Sequence, residues 1–65
     1  MRIVLNGKPV EVAGARLDAV LAELGYRGAG VATAVNGAFV ARTARGDVAL
    51  GEGDRVEVIA PMQGG

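Results

Sequence analysis

The apolar positions of this chain alternate between a strand period and a helix period. Ile3, Val4 and Leu5 form a short, largely β-branched run, and Pro9 to Val12 resume it after Asn6-Gly7. Asn-Gly is a strong type I′ turn pair because both residues tolerate positive φ. Residues 2–12 therefore read as a hairpin, with strands over 2–6 and 9–12. Pro9 offers no N–H to a ladder, which confines it to a strand start or an edge and puts the second strand outermost.

The period then changes. Leu17, Val20, Leu21 and Leu24 fall at i, i+3, i+4 and i+7, drawing one apolar stripe along a helix. Arg16, Ala19, Ala22 and Glu23 are left for the other side, and Gly25 suits the left-handed residue that closes a helix. The start is poorly capped: Gly14 is the only N-cap candidate, and Arg16 sits at the positive end of the macrodipole. Such a helix depends on docking rather than on propensity.

After a loop over 26–30, Val31 to Val35 read as a third strand, Asn36-Gly37 repeats the turn signal, and Ala38 to Ala41 form a fourth strand. Residues 42–54 read as irregular, punctuated by Gly46-Asp47, Gly51 and Gly53-Asp54, with Val48 to Leu50 as an apolar plug. Arg55 to Ala60 alternate as a last strand, with Val56 and Val58 on one face, and Pro61 stops it. Hairpin, helix, hairpin, strand has a preferred assembly. A right-handed crossover through the helix leaves the last strand in the centre, parallel to the first. This is an α+β architecture of the β-grasp, or ubiquitin-like, kind: a mixed sheet of four to five strands with one main helix on one face. Other orders of five strands remain open.

Composition narrows what such a domain can do. The 65 residues allow one domain with one small core, assigned to residues 1–60, with 61–65 as a tail. Ordering costs roughly 1.5 kcal/mol per residue, so few core positions can be spared. Neither Cys nor His is present, which removes disulfides and the commonest metal ligands, and no metal site is expected. Seven basic and seven acidic residues cancel, and one Tyr and one Phe give bases little to stack on, so no nucleic-acid partner is expected. No apolar run spans a bilayer, and Met1-Arg2 leads straight into a strand pattern, so no membrane partner and a cytoplasmic location are expected. Ser is missing too. Thr33, Thr43 and Tyr26 carry the only hydroxyls, with no imidazole to activate them, and independent catalysis is not expected.

The candidate site is the tail. Pro61 ends ladder pairing, and Gly64 and Gly65 have no side chain to pack. Residues 61–65 can extend by roughly 17 Å at about 3.3 Å each, enough to enter a neighbour's active-site tunnel. Glycine is what a narrow tunnel admits. The alternative is a frayed terminus without consequence.

The chain resembles the ThiS family of sulfur carriers from end to end. The residues that carry the resemblance are Leu5-Asn6-Gly7, Leu17…Leu21…Leu24, Ala34-Val35-Asn36-Gly37…Val40-Ala41-Arg42, Leu50…Gly53-Asp54-Arg55-Val56-Glu57 and the closing Gly64-Gly65. The combination is specific, although each piece alone is weak. One departure is visible: where the family often carries an acidic residue and an aromatic shortly after the position of Arg42, this chain has Thr43-Ala44-Arg45.

The resemblance implies a protein co-substrate rather than an enzyme. The Gly65 carboxylate would be adenylated by an E1-like partner of ThiF type, which uses ATP and magnesium; the chain itself would bind no cofactor. Sulfur drawn from cysteine by a desulfurase would then replace AMP to give a thiocarboxylate. A thiazole synthase of ThiG type would take that sulfur into the thiazole ring of thiamine. Pro61, Met62, Gln63 and Gly64 would occupy the partner's tunnel.

A sheet covered on one face leaves the other for partners. With Val56 and Val58 toward the helix, Ile59 points away, and with Phe39 and Met62 it makes a candidate docking patch. Ordinary core or edge packing is the competing reading. Arg42 reads as a solvated hairpin end or a contact for an acidic partner. Arg55 and Glu57 read as surface ladder partners, Lys8 as solvated, and Asp54 as a turn residue. Three other functions remain open: the small subunit of molybdopterin synthase, a β-grasp module that docks without covalent chemistry, and a modifier conjugated to lysines.

Overall fold

The computed structural model describes residues 1–26 and 30–60. Strand β1 (Arg2–Leu5) pairs antiparallel with β2 (Lys8–Glu11), with Ile3 opposite Val10. The turn between them is made by Asn6 (φ 49°) and Gly7 (φ 85°), both left-handed as a type I′ turn demands. Strands β3 (Ala32–Val35) and β4 (Ala38–Val40) repeat the device through Asn36 (φ 50°) and Gly37 (φ 86°). Strand β5 (Arg55–Ile59) lies between the hairpins, parallel to β1 and antiparallel to β3. The order is β2-β1-β5-β3-β4, with Pro9 on an edge strand. This is the β-grasp arrangement. Strands β1, β3, β4 and β5 each run one residue shorter than the apolar pattern suggests, and β2 keeps its expected length but begins one residue earlier, at Lys8.

Helix α1 (Leu17–Glu23) lays Leu17, Val20 and Leu21 against the sheet. They meet Ile3, Val56 and Val58 from the central strands, while Val12, Val40 and Leu50 close the rim of the core. The helix ends in a Schellman motif: the Tyr26 N–H reaches the Leu21 carbonyl (2.8 Å) and the Gly25 N–H reaches that of Ala22 (3.1 Å), with Gly25 at φ 92°.

The start of α1 corrects the sequence expectation. The N-cap is Arg16, not Gly14, and no side chain caps it. Tertiary contacts supply the missing partners instead. The Leu17 N–H donates to the Val48 carbonyl (3.0 Å), the Leu50 N–H donates to that of Ala15 (2.9 Å), and Arg16 forms a bridge with Ala49. From the far end of the helix, the Glu23 carboxylate accepts the N–H groups of Ala13 (2.9 Å) and Gly14 (3.0 Å). The apolar plug 48–50 thus serves as a strut for the helix as well as a lid on the core.

A second correction concerns residues 42–54, expected to be irregular. Arg42–Asp47 form a 3-10 helix. Its anchor is Arg45, whose Nη2 donates to the Val31 carbonyl (2.7 Å) and whose Nε donates to Thr33 Oγ1 (3.1 Å). Thr33 is the one buried polar residue of the described core, and its hydroxyl donates onward to the Val40 carbonyl (2.9 Å). A buried hydroxyl with both a donor and an acceptor partner avoids the cost of an unsatisfied polar group, because the two internal bonds offset its lost hydration.

Candidate functional site

The sheet has one covered face and one open face, and strand alternation decides which side chains each receives. On β5, Val56 and Val58 are buried under α1, while Arg55, Glu57 and Ile59 are exposed. The register sets Ile59 opposite Ala32, Glu57 opposite Ala34, and Ala34 opposite Phe39. Residues directly opposite share a face. Phe39 and Ile59 therefore flank two alanines, whose methyl groups are too short to shield them. Phe39 is 73% exposed and Ile59 63%, the two large apolar residues most open to water among those described. The competing reading, in which these two side chains pack into the core, is not what the fold provides. The third patch residue, Met62, lies outside the described residues, as do Pro61, Gln63, Gly64 and Gly65.

The remaining sequence candidates have ordinary positions. Arg42 is exposed at the start of the 3-10 helix, and Lys8 is exposed beside the first turn. Arg55 stands opposite Val4, and Glu57 opposite Ala34, so neither makes the expected ladder pair. The salt bridge among the described residues joins Arg2 Nε to Glu11 Oε2 (2.9 Å), on β1 and β2. Asp54 serves its turn: one carboxylate oxygen accepts the Gly51 N–H (2.8 Å) and the other the Asn36 side-chain amide (3.2 Å). Those two bonds, the backbone one first, hold its carboxyl below the usual aspartate value. Glu23 is likewise lowered, by the N–H groups of Gly14 and then Ala13. Both are anions held by backbone donors for structural ends.

Of the three hydroxyls, Thr33 is committed to Val40 and Arg45, Tyr26 is half-buried against the core, and Thr43 is exposed. Among the described residues, no cluster of three or more His, Cys, Asp and Glu gathers where a metal would sit. Nor is any described helix long and apolar enough to cross a membrane.

Sequence reasoning missed the role of the two turn asparagines. Each sends its carboxamide back to β5. Asn6 Nδ2 donates to the Val58 carbonyl (3.2 Å), and its Oδ1 accepts the Val58 N–H (2.9 Å). Asn36 Oδ1 accepts the Arg55 N–H (2.9 Å), while its main-chain N–H donates to the Arg55 carbonyl (2.7 Å). The available signal was Asn at both turns rather than Asp, since only the amide offers a donor together with an acceptor.

Comparison with known proteins agrees with this geometry. The ThiS family pattern matches residues 3–65. A protein of Thermus thermophilus named sulfur carrier protein ThiS is 43% identical over 61 residues, covering 94% of this chain and 95% of that one. The crystal structure of a thiamine biosynthesis protein (ThiS) from Geobacter metallireducens superposes with a TM-score of 0.82 at 33% identity, covering both chains fully. An NMR solution structure of a thiamine biosynthesis protein from the same organism gives 0.80 at 32% identity, covering all of this chain and 88% of the other.

Proposed function

The chain belongs to the ThiS family, and from that premise we propose that it is a sulfur carrier of thiamine biosynthesis that works through the carboxylate of Gly65. The observation that carries the reading is the family match from residue 3 to residue 65, Gly64-Gly65 included, on a β-grasp body whose central strand leads into that segment.

The chemistry follows from what a carboxylate lacks. Its oxygen is a poor leaving group, so sulfur cannot displace it directly. An E1-like partner of ThiF type, using ATP and magnesium, joins the Gly65 carboxylate to AMP with release of pyrophosphate. A desulfurase takes sulfur from cysteine as an enzyme persulfide, whose terminal sulfur attacks the acyl carbon and expels AMP. A thiol reductant then cleaves the S–S bond of the acyl disulfide so formed and leaves the thiocarboxylate. The resulting thiocarboxylate is a good nucleophile at neutral pH, and a thiazole synthase of ThiG type accepts the sulfur into the thiazole ring. In this scheme the chain supplies the acyl group and the partners supply the catalytic groups. Residues 61–64 pass through the partner's tunnel, where side chains beyond a narrow cross-section would clash. The open sheet face, with Phe39 and Ile59 exposed, supplies a surface on which such partners dock.

The test is intact mass spectrometry after incubation with the activating enzyme, ATP and magnesium, a desulfurase, cysteine and a thiol reductant. Exchange of one oxygen for one sulfur at the C-terminus is the expected result, and deletion of Gly65 should abolish it. Isopeptide adducts to lysines, or unchanged partner function without Gly65, would refute the proposal.

A further inference from the structure

Strand β5 outlasts its neighbour. On the β1 side the register is Val4 with Arg55 and Leu5 with Val56, after which β1 ends and the chain turns away through Asn6-Gly7. The last main-chain bond there runs from the Asn6 N–H to the Val56 carbonyl (2.9 Å). Beyond it β5 continues to Ile59, and among the described residues its backbone pairing there is on the β3 side alone, where Thr33 and Ala32 stand opposite Val58 and Ile59. The Val58 N–H and C=O face the vacated side. Both are taken by the Asn6 carboxamide, at 2.9 and 3.2 Å. A primary amide is a peptide group in miniature, with one donor and one acceptor on the same edge. It completes the rung that the departing backbone no longer provides.

The other end of β5 carries the same residue in the same turn with a different assignment. Asn36 holds Arg55, where the strand enters the sheet, and through its amide also holds the Asp54 carboxylate. One asparagine therefore fixes the entry of β5, and the other its exit. Only Ile59 and Ala60 separate the held residue, Val58, from residues 61–65.

We propose that Asn6 is a positioning residue: by pairing with Val58 it fixes the end of β5, and with it the point from which residues 61–65 are presented to a partner. The proposal rests on the carrier reading above. A strand end held from one side alone opens more often. The segment that follows then starts from a spread of positions, and an enzyme that must capture it meets fewer competent molecules. The loss falls on capture and not on the chemical step, so it raises KM for the carrier and leaves kcat in place.

The experiment compares Asn6→Gly with Asn36→Gly in the full chain. Glycine accepts the positive φ of both turns, so each variant keeps its hairpin and loses only the carboxamide. Asn6→Asp, which retains an acceptor for the Val58 N–H but no donor for its carbonyl, replaces Asn6→Gly if that variant fails to fold. Amide hydrogen exchange is read first. Losing two hydrogen bonds of about 1 kcal/mol each should speed exchange at Val58 and Ile59 by about tenfold or more relative to Ala34. Asn36→Gly should instead act on Arg55.

Steady-state adenylation by the activating enzyme is read second. We expect KM for Asn6→Gly to rise by about tenfold at unchanged kcat, with Asn36→Gly within about twofold of the parent. Equal KM changes in the two variants, or unaltered exchange at Val58, would overturn the proposal. Failure of the parent chain to be adenylated at all would instead overturn the carrier reading. The exchange comparison would still decide whether Asn6 holds the strand end.

Discussion

Phe39 offers the sharpest test of how the open face is used. The residue is 73% exposed in a sheet whose other face is filled. A Phe side chain buries roughly 200 Å² when fully enclosed, so about 150 Å² of this one remains available to a partner. At about 25 cal/mol per Å² that area represents at most about 4 kcal/mol. Docking costs and incomplete enclosure reduce the return, and truncating a central interface aromatic typically costs about 2 kcal/mol. Phe39→Ala is therefore expected to raise the Kd for the activating partner by about thirtyfold. The same change should cost the fold about 1 kcal/mol or less, because only about a quarter of the ring is covered by its own chain. Its neighbour Val40 provides the contrast. It is 9% exposed and belongs to the core, so Val40→Ala is expected to act on folding, by roughly 1–2 kcal/mol, and to leave partner affinity of the folded fraction unchanged. Urea unfolding and calorimetric titration separate the two quantities. If Phe39→Ala leaves affinity within about twofold, or destabilises the fold by more than Val40→Ala, the ring is structural and the docking argument is wrong.

Two further predictions concern the stability of the body. Thr33→Val and Arg45→Met each break part of one network, in which Arg45 Nε donates to the Thr33 hydroxyl and that hydroxyl donates to Val40. The double mutant should be less destabilised than the sum of the singles by about 1 kcal/mol in urea melts, and strict additivity would show the contact to be idle. Glu23 has its pKa lowered on folding by the Gly14 and Ala13 N–H groups. A depressed carboxyl contributes stability that is fully present above its unfolded value, about 4.3, and is lost as pH falls through the folded value. The stability gap between the parent and Glu23→Gln should therefore be open at neutral pH and narrow as the pH is lowered into the acid range, whereas a gap that widens in acid contradicts the assignment.

Strand β1, the two Asn-Gly turns and the stripe Leu17, Val20, Leu21 were all legible, and so was Gly25 at the helix end. The central, parallel placement of β5 followed from element order. Ile59 was named from alternation, with Phe39 set beside it as a second apolar candidate, but only the register showed that Ala32 and Ala34 lie between them and leave both uncovered. The 3-10 helix at Arg42–Asp47 had no readable period. It is held by Arg45 reaching back to Val31 and Thr33, at separations of 14 and 12 residues. Arg55 and Glu57 looked like ladder partners because charges on a surface strand often are, and their true neighbours, Val4 and Ala34, depend on a register that composition does not encode.

What the sequence determined by itself was local: where φ had to turn positive, which period each segment followed, and which face of each element was apolar. Those are properties of a few neighbouring residues, and they survive any arrangement of the whole. The tertiary structure alone decided where long-range polar bonds went. Asn6 meets Val58 across 52 residues, Asn36 meets Arg55 across 19, and the Leu17 N–H finds the Val48 carbonyl instead of a cap. A carboxamide or an orphan helix N–H must be paired once buried or crowded, but its partner is whichever group packing brings within about 3 Å. That choice is made by the assembled sheet.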